Sequence, residues 1–199
     1  MNIAVLASGR GTNFEAIARA IKKRYVKANL KLLITDKETA DVRVRAKKFG
    51  IRDIFIDPKQ FKSRLEFDKG IVKILRKEKV NLVVLAGFMR VFTPYFVKSF
   101  KNKILNIHPT ILPAFKGIEG VGRAFKYGCR VTGVTVHFVD EKVDHGPIIL
   151  QAAVRITEGM SLEELESKVH KLEHKLYPQA VKLFVENKLK VEGRHVKII

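Results

Sequence analysis

Two polar residues at the end of a short apolar run could stabilise a negative charge that develops on a carbonyl oxygen. Asn106 and His108 lie two positions apart where the run 104–107 ends, and side chains two residues apart in an extended strand point to the same side. A reaction that builds an oxyanion needs a neutral donor aimed at that oxygen and an acid or cation beside it. An amide and an imidazole supply both groups, although a histidine at a strand end is often only a packing residue.

A carboxylate in a later turn could tune that imidazole. Asp144 lies in the turn 143–147, between two extended runs. A carboxylate near an imidazole favours the charged ring and raises its pKa; the alternative is a plain Asp-x-Gly-Pro turn. His137 lies in the apolar run 134–138, and we interpret it as a packing or orienting residue.

A glycine-bearing turn near the amino terminus is a candidate phosphate site. The first apolar run leads into Ser-Gly-Arg-Gly-Thr-Asn at 8–13 and then into a helical pattern, and backbone N–H groups at a helix N-terminus favour an anion. Phe14 stands where a dinucleotide fingerprint needs a third glycine, and no Gly-Lys-Ser/Thr follows. The loop therefore predicts a site for a single phosphate; the alternative is a structural turn with Thr12 or Asn13 as the helix cap.

One acidic residue falls on an apolar helix face. Glu173 comes four residues after Val169 and three before Leu176, so it lies against the buried stripe of the last helix. Because an unpaired buried charge is costly, we expect a partner, either a nearby Lys or Arg or a substrate amine or hydroxyl.

Metal binding and covalent catalysis have no comparable signal. The six His and one Cys show no ligand spacing, and no Glu stands between His170 and His174 in a His-Glu-x-x-His pattern. No Gly-x-Ser-x-Gly elbow is present. We therefore predict no metal and no covalent intermediate.

The elements that must position these residues follow from hydrophobic periodicity. Five apolar runs read as strands and alternate with segments of helical spacing, which is typical of a parallel α/β sheet; the runs are 3–7, 30–35, 53–56, 82–86 and 104–107. Two later runs, 131–139 and 148–156, predict antiparallel additions to that sheet. A capping box at Ser161 and Glu164 predicts the start of a long helix, and the tail after 187 predicts a short hairpin. Without a linker or repeat, residues 1–199 are predicted to form a single domain.

Composition narrows the functional class. The chain has 46% hydrophobic and 30% charged residues, and a chain of 199 residues buries about 70% of its unfolded surface. Its 39 Lys and Arg against 20 Asp and Glu give a net charge of +19, which attracts phosphorylated small molecules or nucleic acid. Because the basic residues are spread along the chain, we favour a solvated surface, with a basic nucleic-acid-binding module as the alternative. One cysteine allows no intrachain disulfide and favours the cytoplasm, and the longest apolar stretch, 80–89, is too short to span a bilayer.

Five ordered segments carry a resemblance to a known family. They are Ile-Ala-Val-Leu-Ala-Ser-Gly-Arg-Gly-Thr-Asn at 3–13, Val-Val-Leu-Ala-Gly-Phe-Met-Arg at 83–90, Leu-Asn-Ile-His-Pro at 105–109 with Leu-Pro at 112–113, Gly-Val-Thr-Val-His-Phe-Val at 133–139 and Asp-x-Gly-Pro-Ile at 144–148. Together they resemble phosphoribosylglycinamide formyltransferases over residues 1 to about 185. The resemblance implies a Rossmann-like fold and transfer of a formyl group from the cosubstrate 10-formyltetrahydrofolate to the amine of glycinamide ribonucleotide, with no metal.

The same resemblance implies roles for individual residues. Asn106, His108 and Asp144 match the catalytic trio, in which His108 is protonated because Asp144 raises its pKa. The other matches are the nucleotide-binding positions Gly11, Thr12, Asn13 and Glu173 and the folate-binding positions Arg64, Met89, Arg90, Val91 and Phe92. The implied partners are these small molecules, with no nucleic acid and no membrane, and the sequence carries no signal for an oligomeric state.

The chain also departs from the family pattern and leaves close alternatives. Glu119 and Gly120 in the segment 114–120 replace a less acidic stretch, and the tail after 187 has no counterpart. A formyltetrahydrofolate hydrolase or the catalytic domain of methionyl-tRNA formyltransferase would share the trio. The hydrolase would be expected to carry an additional N-terminal domain and the tRNA enzyme a C-terminal one, and we expect neither here.

Overall fold

The computed structural model describes residues 1–199, which divide into two compact units, 1–105 and 106–199. The elements before the boundary are β1 (Asn2–Leu6), α1 (Thr12–Lys22), β2 (Asn29–Thr35), α2 (Asp41–Lys48), β3 (Asp53–Phe55), a 3₁₀ turn (Pro58–Gln60), α3 (Arg64–Lys77), β4 (Leu82–Leu85) and α4 (Pro94–Ser99). Strand β5 (Ile104–His108) contains the boundary, and the elements after it are α5 (Gly120–Lys126), β6 (Val131–Phe138), β7 (Ile148–Arg155), α6 (Leu162–Val185), β8 (Leu189–Glu192) and β9 (His195–Ile198). The interpretation of 1–199 as one domain stays a prediction.

The predicted α/β fold class is confirmed. Seven strands form one sheet in the order β3-β2-β1-β4-β5-β6-β7. Strand β1 pairs in parallel with both β2 and β4, and β2 pairs in parallel with β3. Strands β6 and β7 are antiparallel, as the late extended runs predicted. All four residues of β4 are buried, which agrees with strands covered by helices on both faces.

The long helix and the tail also follow the prediction. Ser161 caps α6 by accepting from the Glu164 backbone N–H at 3.2 Å, and Glu164 accepts in return from the Ser161 N–H at 2.9 Å. The apolar stripe of α6 is buried at Leu165 and Val169. The tail folds as the antiparallel hairpin β8–β9, with Gly193 at φ 60° in its turn.

Three short helices were not located by periodicity. Helices α2, α4 and α5 contain eight, six and seven residues, so each presents too few turns for a repeating apolar stripe. In α2 only Val42 and Ala46 are buried. None of the helices is long and apolar enough to cross a bilayer.

Candidate active site

The predicted trio meets at one place in the unit 106–199. Strand β5 delivers Asn106 and His108, and the loop between β6 and β7 delivers Asp144. The His108 Nδ1 lies 3.2 Å from Asp144 Oδ2, and Asn106 Nδ2 donates to Asp144 Oδ1 at 3.3 Å. His108 is only 4% exposed. The Asp144 carboxylate therefore contacts both an amide donor and an imidazole, largely out of water.

The backbone of the Asp144 loop is closely constrained. Asp144 adopts φ 44°, a left-handed conformation that costs a non-glycine residue roughly 1 kcal/mol. A Cβ on Gly146 would lie 1.8 Å from the Phe138 carbonyl oxygen, so only glycine lets the loop come this close to the end of β6. The Gly117 N–H donates at 2.8 Å to Asp144 Oδ2, the oxygen that faces His108, and helps to fix the carboxylate.

A second histidine belongs to the same cluster. His137 is 2% exposed, and its Nδ1 donates to the Phe138 carbonyl at 2.7 Å. The other ring nitrogen, Nε2, can then accept from Asn106 Nδ2 at 3.3 Å, and it lies 3.7 Å from Asp144 Oδ1. This contact agrees with the orienting role we expected of His137. A titratable ring in a strand of mainly apolar and small residues was the sequence signal for it.

The candidate phosphate loop, residues 8–13, leads into the N-terminus of α1, which no side chain caps. Gly11 is the N-cap of α1 at φ 76°, with no side-chain cap, and a Cβ there would lie 2.4 Å from Val42 Cγ2. Thr12 is the first residue of α1, so the alternative in which Thr12 or Asn13 caps the helix is wrong. No side chain therefore caps the first N–H groups of α1, which suits an anion.

The predicted folate positions follow two elements of the unit 1–105. Arg64 is the first residue of α3, and 89–92 follow β4. Met89 is 65% and Val91 50% exposed, so both present apolar surface near the carboxyl end of β4. The other two are covered, since the Phe92 ring stacks 3.8 Å from the Phe96 ring and the Arg90 guanidinium lies 4.9 Å from the Phe67 ring centre.

A buried carboxylate at the end of that segment escaped the sequence analysis. Asp68 on α3 is 1% exposed and accepts from both the N–H and the hydroxyl of Thr93 at 2.6 Å. Because Thr93 directly follows the predicted folate segment, Asp68 anchors its end to α3. Burial raises the pKa of the Asp68 carboxyl, and the two Thr93 bonds offset part of that rise.

Glu173 lies on the buried face of α6, as the helical spacing predicted, and it contacts a histidine. It is 4% exposed, and His170 Nδ1 lies 2.9 Å from its Oε2. The expectation of a Lys or Arg partner is not met by this contact. No group of three or more His, Cys, Asp or Glu side chains is arranged to hold a metal ion.

Comparison with known proteins decides the family. The sequence profile described as "Formyl transferase" matches residues 1–181. The chain belongs to the formyl transferase family. Among its relatives in that family, the phosphoribosylglycinamide formyltransferase of Bacillus subtilis (strain 168) is 46% identical over 179 residues, which cover 90% of this chain and 92% of the relative. That of Haemophilus influenzae is 41% identical over 190 residues, covering 96% and 90%.

Solved structures of the formyl transferase family share the fold. The glycinamide ribonucleotide transformylase 1 from Symbiobacterium toebii superposes with a TM-score of 0.98 at 42% identity, covering all of this chain and 94% of the other. The phosphoribosylglycinamide formyltransferase from Bacillus halodurans gives a TM-score of 0.90 at 40% identity, with 93% and 95% covered.

The electrostatics of this formyl transferase correct one expectation. Burial alone raises the pKa of the Asp144 carboxyl, but the His137 ring, the Gly117 N–H and the nearby His108 more than offset it, so the pKa lies below its usual value. Burial is the largest influence on the pKa of His108 and lowers it; Asp144 and the Phe115 carbonyl raise it, His137 and Arg123 lower it further, and the pKa lies below its usual value. The expectation that Asp144 keeps His108 protonated is therefore wrong for this structure. Asp144 does favour the imidazolium, but desolvation of the ring is the larger effect.

Proposed function

We propose that this chain transfers the formyl group of 10-formyltetrahydrofolate to the amine of glycinamide ribonucleotide in purine biosynthesis. The observation that carries the proposal is the meeting of Asn106, His108 and Asp144 in a chain so similar to enzymes of that name. In this proposal, each residue has the role of the family position that it matches. We place the activity in the cytoplasm, which the single cysteine supports.

The first step builds a tetrahedral intermediate. The amine nitrogen attacks the formyl carbon, a carbon–nitrogen bond forms, and the electron pair of the carbonyl moves onto oxygen. Asn106 would turn one amide N–H from its resting acceptors, His137 and Asp144, to that oxygen, and His108 would turn its Nε2–H from the Phe115 carbonyl to the same oxygen. Removing one such donor from an enzyme typically lowers the rate by about a hundredfold or more, so these two side chains can supply a large part of the acceleration.

The proton then moves through His108. Burial lowers the pKa of His108 and so favours the neutral ring before reaction, and a neutral ring can accept a proton when negative charge appears next to it. The oxyanion and Asp144 both favour the imidazolium, so His108 takes the proton that the attacking amine loses. As the bond between the formyl carbon and the folate nitrogen breaks, His108 protonates that nitrogen and returns to the neutral state.

The remaining matched positions are proposed to bind the two substrates. Gly11, Thr12 and Asn13 would hold the ribose phosphate, which the backbone-formed N-terminus of α1 supports. Glu173 would contact the glycinamide nucleotide. The folate would contact the exposed apolar side chains of 89–92 together with Arg64.

Small molecules, and not nucleic acid, are the proposed partners. Several basic side chains are engaged in ion pairs, which lowers the positive charge available to a polyanion; among them are Arg19 with Glu15, Arg43 with Asp53 and Arg52 with Glu78. A filter-binding assay should therefore detect only weak RNA binding. Tight, salt-sensitive RNA binding without formyl transfer would support the nucleic-acid-binding alternative instead.

A spectrophotometric assay with formyl-folate, run with and without glycinamide ribonucleotide, tests the function. We expect deformylated folate to accumulate only when the nucleotide is present, together with formylated nucleotide. Folate deformylation at the same rate without nucleotide would instead identify a hydrolase, and no reaction in either case would contradict both.

A further inference from the structure

Backbone groups of the segment 115–117 contact both members of the proposed His108–Asp144 pair. The Phe115 carbonyl accepts from His108 Nε2 at 2.9 Å, and the Gly117 N–H donates to Asp144 Oδ2 at 2.8 Å. Phe115 and Gly117 adopt φ 51° and 83°. Because Phe115 is not a glycine, this left-handed conformation needs other contacts to hold it.

One guanidinium supplies those contacts. Arg123 on α5 donates through Nη2 to the Phe115 carbonyl at 2.9 Å and also to the Lys116 carbonyl. The Phe115 carbonyl is therefore shared between Arg123 and His108. Bonds from a charged donor are shorter and stronger than neutral ones, so Arg123 determines where this carbonyl points, and the carbonyl in turn orients the imidazole.

The charge of Arg123 acts on the same ring. The charged or titratable groups that influence His108 are Asp144, which favours the imidazolium, and His137 and Arg123, which both disfavour it. Arg123 also competes for the carbonyl that the His108 N–H needs. Its position and its charge therefore both favour a neutral His108 before reaction.

We propose that Arg123 is a positioning residue for the formyl transfer, which acts through the Phe115 carbonyl to orient the His108 imidazole. The inference rests on the proposed function for its catalytic meaning, whereas the effect on His108 itself can be measured without any substrate.

Three replacements separate charge from hydrogen bonding. Arg123→Gln keeps a donor without the charge, Arg123→Lys keeps the charge on a single donor, and Arg123→Ala removes both. Lys126→Gln, on the same helix and exposed, is the matched control for loss of one positive charge. Each protein is labelled with ¹³C-histidine and titrated by NMR, and the His108 signal is assigned by its loss in His108→Asn.

We expect the His108 titration midpoint to move to higher pH in Arg123→Gln and Arg123→Ala, by roughly half a unit given solvent screening. It should stay near the wild-type value in Arg123→Lys and Lys126→Gln. In the transfer assay, Arg123→Ala should lower kcat about tenfold and change each KM less than threefold, with partial recovery in Arg123→Lys.

Unchanged midpoints in all Arg123 variants would overturn the proposal, even if kcat fell, because the residue would then be merely structural. A midpoint shift no larger than that of Lys126→Gln would overturn it as well. If the midpoint moves as expected but the wild-type protein transfers no formyl group, the proposed function fails while the orientation of His108 by Arg123 stands.

Discussion

Replacing Asp144 with asparagine removes one charge while keeping the size of the side chain. In the structure, Oδ2 accepts from the Gly117 N–H and faces His108, and Oδ1 accepts from Asn106. An asparagine has one acceptor oxygen. If that oxygen keeps the Gly117 bond, the new NH₂ group faces the NH₂ group of Asn106, so two donors oppose each other. Asp144→Asn therefore disturbs both proposed oxyanion donors.

The size of the effect follows from the distance. At 3.2 Å from His108 Nδ1, a unit charge pair with an effective dielectric constant of about 20 is worth roughly 5 kcal/mol. Because the amide dipole and the Gly117 bond retain part of this interaction, we expect a loss of about 3 kcal/mol in transition-state stabilisation. That corresponds to a fall in kcat of roughly a hundredfold or more.

The direction of the pH dependence is also specified. Asp144 favours protonated His108, so Asp144→Asn lowers the His108 pKa further, and the limb of the kcat profile that reports this ring moves to lower pH. The pKa of Asp144 in the folded protein lies below its usual value. The carboxylate therefore contributes stability above the unfolded-state pKa, and this contribution is lost as pH falls through the folded-state pKa. On acidification below about pH 4, Asp144→Asn should therefore lose less stability than the wild type does.

The measurement is steady-state transfer from pH 5 to 9, with thermal unfolding at pH 7 as a check on folding. Asp140→Asn is the matched control, because Asp140 lies in the same loop and contacts His145 at 2.6 Å. We expect its kcat to stay within threefold of the wild type. If Asp144→Asn kept more than a third of the wild-type kcat, or if both variants lost activity equally, the proposed role of the carboxylate would be refuted.

Three further substitutions test other parts of the structure. Gly11→Ala would put a Cβ 2.4 Å from Val42 Cγ2, so we expect the KM for the nucleotide to rise about tenfold or more, and an unchanged KM would contradict the phosphate-loop assignment. Asp68→Ala leaves two Thr93 donors without their acceptor, so urea unfolding should show a loss of about 3 kcal/mol. Burial raises the pKa of Asp68, so the stability that its protonated form contributes is present at low pH and is lost as pH rises through that pKa. The stability deficit of Asp68→Ala should therefore be largest in acid. A deficit that grows with pH would contradict this. Gly122→Ala meets no atom within 4 Å and should raise the unfolding free energy by about 0.5 kcal/mol, whereas a lower thermal midpoint would indicate a contact that the structure lacks.

The sequence by itself determined the features that depend on local chemistry and periodicity. The apolar runs predicted β1 to β7 to within about a residue because buried strands consist of consecutive apolar side chains. The Ser161 and Glu164 capping box located the start of α6, since both of its bonds lie within three residues. Helical spacing alone placed Glu173 on the buried face.

Only the tertiary structure decided what surrounds each of these residues. Asp144 reaches His108 across 36 positions, and the Phe115 carbonyl and Arg123 approach from a segment with no recognisable pattern. The protonation of His108 shows why this information is not local. Asp144 was correctly expected to favour the charged ring, but the opposing effect of desolvation depends on how many atoms exclude water from the imidazole. No spacing of residues along a chain specifies that number.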